Sequence, residues 1–238
     1  MSKQAMIFAA GLGTRLKPLT DTMPKALVKV GGHPLLWHTV MKLKAAGFER
    51  MVVNVHHFAQ QIVDYLKQND NFGLDIRISD ESDKLLETGG GIKKALPLFD
   101  PSEPILIHNV DILSNLDLTA LDGNETTLVV SWRQTKRYLL FDDDFYLKGW
   151  TNIKTGELKG DVTDADSYHK LAFSGIHVLH PSLFPLMDEW PDRFPIMDFY
   201  LKACARHPIR GYEPSNLRLM DVGKLDTLHE AEQFLITL

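Results

Sequence analysis

The sequence predicts an α/β fold in which a mostly parallel central sheet is covered by helices on both faces. Three observations point there. Short apolar runs alternate with helical spacings from Gln4 to about Asp111, the mark of successive strand–helix units. Glycine-rich turns punctuate that alternation at Gly11–Gly13 and Gly89–Gly91. Beyond Asn124 the runs become strand-like with short connections, so an antiparallel or mixed portion should complete the same sheet.

In chain order, Gln4 to Ala10 reads as a buried strand, followed by a loop from Gly11 to about Pro24. Pro34 to Ala46 has helical spacing, with Leu35, Leu36, Thr39, Val40, Leu43 and Ala46 on one face and Gly47 as its stop. Met51–Val55 is a β-branched strand, Phe58–Leu66 a helix and Leu74–Ile78 a strand. Glu87–Gly91 reads as a glycine-rich turn before a short helix over Ile92–Leu98, and Ile105–Ile107 is the next buried strand. Thr127–Trp132, Tyr138–Phe141, Tyr146–Trp150 and Lys170–Val178 are expected strands. The polar, acidic stretch Glu157–Tyr168 is expected to be a loop. Helices return at Pro181–Met187, Ile196–Arg206 and Asp226–Leu235. No repeat or linker interrupts the 238 residues, so a single domain spanning 1–238 is expected, with a nucleotide-binding half over 1–123 and a sugar-binding half over 124–238 once the motifs below are considered.

Composition narrows the function. A chain with 44% hydrophobic and 24% charged residues has the balance of a globular protein. The net charge of −5 argues against a duplex nucleic-acid partner, which normally meets a basic surface. A single cysteine, Cys204, leaves no internal disulfide and fits a reducing compartment. No apolar run reaches the length of a membrane span, so no membrane partner is expected and a cytoplasmic location is. Oligomeric state is not readable.

The most informative segment is Ala-Ala-Gly-Leu-Gly-Thr-Arg-Leu-Lys-Pro-Leu-Thr, Ala9 to Thr20, with Pro24-Lys25 behind it. Ligands of open parallel sheets sit beyond the carboxyl ends of the strands, where this loop falls. Glycines let backbone N–H groups approach phosphate oxygens, and Arg15, Lys17, Lys25 and Lys29 gather positive charge on an acidic chain. The loop lacks the third glycine of a dinucleotide fingerprint and the Gly-Lys-Ser/Thr of a phosphate loop. No histidine pair has zinc-ligand spacing among the ten histidines, and the Asp142–Asp144 run reads as a solvated hairpin turn.

Taken whole, the run resembles the signature of the sugar-1-phosphate nucleotidyltransferases, with Phe8 in place of the common leucine. The resemblance extends to Gly89, Asp111, Phe173–Gly175 and Asp221–Gly223. It implies a Rossmann-like mixed, mostly parallel central sheet flanked by helices, the nucleotide-diphospho-sugar transferase fold. It implies a nucleoside triphosphate and a sugar 1-phosphate as substrates and Mg²⁺ as cofactor. Arg15 and Lys25 would be the catalytic cations; Ala10, Gly11, Gly13, Thr14, Thr88 and Gly89 would hold the nucleotide; Asn109 and Gly175 would contact the sugar; Asp111 and Asp221 would bind the metal. Val110 stands where the family usually has glycine, and Lys224-Leu225 where it has Thr-Pro. The Glu-Lys-Pro element common in the second half is missing, which leaves Lys170 as a candidate sugar-side cation. The wording Leu86-Glu87-Thr88-Gly89-Gly90-Gly91-Ile92 looks most like the N-acetylmuramic acid 1-phosphate uridylyltransferases, so UTP and that amino sugar are the expected pair. GTP with mannose or heptose 1-phosphate is the alternative. A regulatory module without chemistry should have lost Arg15, Lys25, Asp111 or Asp221, and all four stand.

Overall fold

The computed structural model describes residues 3–238. The first half contributes strands β1 (Lys3–Phe8), β2 (Lys29–Val30), β3 (His33–Pro34), β4 (Phe48–Val55), β5 (Asp75–Asp80), β6 (Ile105–Asn109) and β7 (Ile112–Ser114). Its helices are α1 (Leu35–Ala45), α2 (Ala59–Gln68) and α3 (Glu87–Ala95). The second half adds β8 (Thr126–Ser131), β9 (Arg137–Phe141), β10 (Leu147–Asn152), β11 (Glu157–Gly160), β12 (His169–Leu179), β13 (Ile209–Tyr212) and β14 (Leu219–Asp221), with α4 (Ile196–Ala203) and α5 (Thr227–Ile236).

The main sheet runs β11-β10-β9-β12-β6-β1-β4-β5. β1 pairs in parallel with β4 and β6, and β4 with β5. β12 joins antiparallel to β6, so one sheet continues from the first half into the second. There the sheet forks: the start of β12 pairs with β9 and its remainder with β8, which carries β13 in parallel. This is the mixed, mostly parallel centre that strand–helix alternation predicts.

Alternate residues of the inner strands face opposite cores. Ala5, Ile7, Met51 and Val53 pack with Leu36, Val40 and Leu43 of α1 and Ile62 and Leu66 of α2. Met6 and Val52 face the other way, against Ile92 of α3 and Phe199 and Tyr200 of α4. Both faces are therefore covered, which is why β1 and β4 read as continuous apolar runs rather than alternating ones. Gly47, at φ +83°, ends α1 as expected.

Several expectations need correction. The triple glycine is not a turn before a helix: Gly89, Gly90 and Gly91 lie inside α3 and are buried. Glycine is used there for contact. A Cβ on Gly89 would lie 2.2 Å from the Phe194 ring, on Gly90 2.0 Å from the Asp192 carbonyl oxygen, and on Gly91 2.8 Å from Glu81 Oε1. The expected loop at Glu157–Tyr168 begins with the exposed edge strand β11, whose polar residues suit an edge open to water. Pro181–Met187 forms two short 3₁₀ turns instead of one helix, as the proline at the start of each turn breaks continuous pairing. β13 lies outside the expected strands; four residues beyond Pro208 carry too little pattern to declare one.

Candidate active site

The parallel strands deliver their carboxyl ends to one edge. Ala9–Gly11 follow β1, Asn54 lies near the end of β4, Glu81 follows β5, and Asn109–Asp111 end and follow β6. These residues, with Lys25 and Thr88, line a cavity of about 270 Å³.

Within the first loop the glycines do different work. Gly11 lines the cavity, and a Cβ there would meet nothing within 4 Å, so the backbone is open to a ligand. Gly13, at φ +62°, shapes the turn: its carbonyl accepts from Leu16 N at 2.8 Å and Thr20 Oγ1 at 2.9 Å. Thr14 opens the 3₁₀ turn that carries Arg15, and both are exposed.

The loop is anchored from beneath by two buried side chains that lie outside the motif. Asn54 Oδ1 accepts from Ala9 N at 2.8 Å and Ala10 N at 3.3 Å. Its Nδ2 donates to Glu81 Oε1 at 2.7 Å, and Glu81 Oε2 accepts from Leu86 N at 3.1 Å. Asn54 is 2% exposed and Glu81 1%. A polar residue in the buried run Met51–Val55 was the available signal, because such a group must find partners. On the far side, Thr88 lines the cavity and its Oγ1 accepts from Ile196 N at 2.9 Å. The Gly89 N–H points away from it and donates to Phe194 O at 2.8 Å.

The two distant aspartates meet. β14 pairs antiparallel with β7, setting Asp221 opposite Ile112, next to Asp111, and Val222 N donates to Asp111 O at 2.9 Å. Lys25, 8% exposed, forms an ion pair with Asp111 Oδ2. Shielding from water, and then the Asp111 charge, push the Asp221 carboxyl above the usual aspartate range, against the pull of Lys25, Arg15 and Arg133. A Cβ on Gly223 would lie 2.7 Å from Asp221 Oδ1 and 2.8 Å from Arg15 Nη2, so both groups stand close against the Gly223 backbone. A carboxylate whose ionisation is made costly by burial and by a neighbouring aspartate suits a divalent cation, and Mg²⁺ takes one or two protein carboxylates together with substrate phosphates.

The two residues expected to contact the sugar, Asn109 and Gly175, also meet. Gly175 sits on β12 at φ +80°, and a Cβ there would be 2.7 Å from Asn109 Nδ2. Val110 does not distort the strand end: its N–H donates to Phe8 O at 3.2 Å and its carbonyl accepts from Thr39 Oγ1 at 3.3 Å. Lys170 pairs with Asp166 and lines none of the cavities around these residues. The second half does bring cations to this cleft: Arg133, with Lys136, Arg137 and Lys224, shares a cavity with Arg15 and Asp221, and it donates through Nη2 to Phe173 O at 2.9 Å.

A sequence profile of the family described as Nucleotidyl transferase matches residues 4–124. N-acetylmuramate alpha-1-phosphate uridylyltransferase of Caulobacter vibrioides is 34% identical over 227 residues, covering 90% of each chain. The protein of the same name from Neisseria meningitidis serogroup B is 37% identical over 187 residues, covering 76% of this chain and 77% of the relative. Among solved structures, an apo UDP-glucose pyrophosphorylase superposes with a TM-score of 0.81 at 18% identity, covering 100% of this chain and 99% of the other, a likeness of fold.

Proposed function

The chain belongs to the nucleotidyl transferase family, and from that premise we propose that it moves a uridylyl group from UTP to N-acetylmuramate 1-phosphate, releasing pyrophosphate. The enzyme class is that of the sugar-1-phosphate nucleotidyltransferases. The observation that carries the substrate choice is the reach of the Caulobacter match: it covers 90% of both chains, so it includes the second half, where the sugar would lie.

In this reaction a phosphate oxygen of the sugar 1-phosphate attacks the α-phosphorus in line, and pyrophosphate leaves. Charge spreads over the phosphoryl oxygens, so the protein's task is positioning and charge neutralisation, with no covalent intermediate required. The Ala9–Gly11 backbone would lie against the triphosphate. Arg15 would stabilise the charge that shifts during attack. Lys25 would neutralise the α-phosphate, or the incoming sugar phosphate. Asn109 and Gly175 would set the sugar. Asp111 and Asp221 would hold Mg²⁺, which when bound offsets repulsion between the two phosphate-bearing substrates. The lone free thiol, Cys204, supports a cytoplasmic location. No helix among the described residues is long and apolar enough to cross a membrane.

The test is pyrophosphate release across four nucleoside triphosphates and a panel of sugar 1-phosphates. Turnover is expected to be highest with UTP and N-acetylmuramate 1-phosphate. Efficient turnover with GTP and mannose 1-phosphate, and none with UTP, would overturn the assignment.

A further inference from the structure

The cavity that holds Arg15, Asp221 and Arg133 continues past them along the segment Arg133–Arg137. Arg133, Thr135 and Arg137 line both this cavity and a neighbouring one of about 530 Å³. The floor of the neighbour is built by sheet register. Leu139 of β9 stands opposite Trp150 of β10, and Trp150 opposite Lys159 of β11, so the three form a row across the sheet. Arg137 lies two residues from Leu139 and thus on the same face of β9. Met197 and Phe173 add apolar lining, and two carboxylates, Glu157 and the Asp198 that pairs with Lys159, line the same cavity.

The charges here are unequal in their commitments. Lys159 is paired with Asp198 at 3.2 Å and lies over the Trp150 ring. Arg133 is tethered by one donor to the Phe173 carbonyl, leaving the rest of its guanidinium free. Arg137, Lys136 and Lys224 have no carboxylate partner among the described residues, although all three line the first of these cavities. An acidic chain, with a net charge of −5, therefore keeps a band of unpaired cations beside the metal carboxylates, extending beyond what a single sugar phosphate would meet. Solvated surface charge explains any one of these residues. It does not explain an arginine set at the edge of an apolar floor, next to a second arginine fixed against the strand that carries Gly175.

We propose that Arg137, with Arg133 beside it, forms a carboxylate-reading subsite that selects a sugar 1-phosphate bearing an acid group on the ring. The inference rests on the assignment of N-acetylmuramate 1-phosphate above, whose carboxylate-bearing lactyl ether is the group that distinguishes it from the parent N-acetylhexosamine. The planar guanidinium fork of Arg137 meets that carboxylate in a bidentate pair, while the Leu139–Trp150 floor takes the apolar parts of the substituent. A site built to pair a charged group rejects an analogue that lacks it, because its own charge is left unmatched.

The experiment compares kcat/KM for N-acetylmuramate 1-phosphate and N-acetylglucosamine 1-phosphate, at saturating UTP and Mg²⁺, in the wild type, Arg137→Gln and Arg137→Lys. The wild type should favour the muramate sugar, and Arg137→Gln should collapse that preference by on the order of 10²-fold, mainly through KM. Arg137→Lys, which keeps a point charge without the fork, should fall between. Arg137 is exposed, so the variants should fold; equal thermal midpoints check this. A wild type that prefers the muramate sugar, with variants that retain the preference, overturns the subsite and leaves the substrate assignment standing. A wild type with no preference for the carboxylate-bearing sugar overturns both.

Discussion

At the scale of the residue, His177 shows how a buried polar group sets a pH dependence. It is 2% exposed on β12, its ring meets Tyr200 edge-on at 5.6 Å, and neither ring nitrogen has a hydrogen-bond partner. Burial lowers its pKa from 6.5 to about 3. Below pH 6.5 the unfolded chain takes up a proton that the native state refuses, so stability falls as pH drops through that window. His108, lowered to about 4 by burial, adds to the same slope. His177→Leu should raise the thermal midpoint at neutral pH by about 2–4 °C, since a buried unsatisfied group costs on the order of 1–3 kcal/mol. It should also flatten the loss of stability between pH 6.5 and 4, read by thermal melts across pH. A variant with an unchanged acid slope would mean that this ring is not the source.

At the scale of the element, α3 and the network around Asn54 carry the argument. Gly90 sits inside a helix, where alanine would gain about 1 kcal/mol of intrinsic propensity. The space decides otherwise, because the added carbon would lie 2.0 Å from the Asp192 carbonyl oxygen. Gly90→Ala should therefore destabilise, by roughly 2 kcal/mol or more in denaturant unfolding. The Asn54–Glu81 bond ties the first glycine loop to the entry of α3. Asn54→Asp keeps the acceptor for Ala9 and Ala10 but sets two carboxylates in contact. Glu81→Gln leaves one amide facing a donor. In the double variant the new amide at position 81 donates to the new carboxylate at position 54, and the amide oxygen accepts from Leu86 N. Every partner is then restored, with only the bond between positions 54 and 81 reversed in direction. Each single change should raise the KM for the triphosphate by roughly 10-fold or more, and the pair should recover much of that loss together with the thermal midpoint. Additive losses in the double variant would show that the two side chains do not act through each other.

At the scale of the whole molecule, the two aspartates proposed to hold the metal come from both halves. β6 leads to Asp111 in the first half, and β14 returns Asp221 from near the carboxyl terminus to pair beside β7. Asp111→Asn and Asp221→Asn should each abolish turnover at ordinary Mg²⁺ with the fold intact, and the double variant should cost little more than either, since groups acting as a unit are not additive. Because the Asp221 carboxyl is pushed above its ordinary range, its charge opposes folding at neutral pH, and that cost shrinks as pH falls and the group is protonated. Asp221→Asn should thus raise the midpoint of the metal-free protein while removing activity. Thermal melts with and without Mg²⁺, run beside the pyrophosphate assay, check both halves of this expectation.

Much of this molecule was determined by the sequence alone. Strand–helix alternation is a local pattern, and it declared the parallel core, both helical faces and the position of the first glycine loop. The family resemblance implies a shared site for Arg15, Lys25, Asp111 and Asp221, and the fold pairs Lys25 with Asp111 and sets the charges of Asp111, Lys25 and Arg15 around Asp221. Tertiary structure decided the rest, wherever the cause lay far away in the chain. Gly89 and Gly90 of α3 are explained by residues 192–194, about a hundred positions on, whereas their local pattern suggests a turn. Asn54 and Glu81 acquire a purpose only when the end of β4 lies beneath the first loop. Arg133 and Arg137 look like solvated surface cations until the forked sheet turns them toward the same cleft as Arg15. Periodicity and turn chemistry act over a few residues and can be read directly; steric limits and charge partners are set by neighbours in space, and the chain must close before they exist.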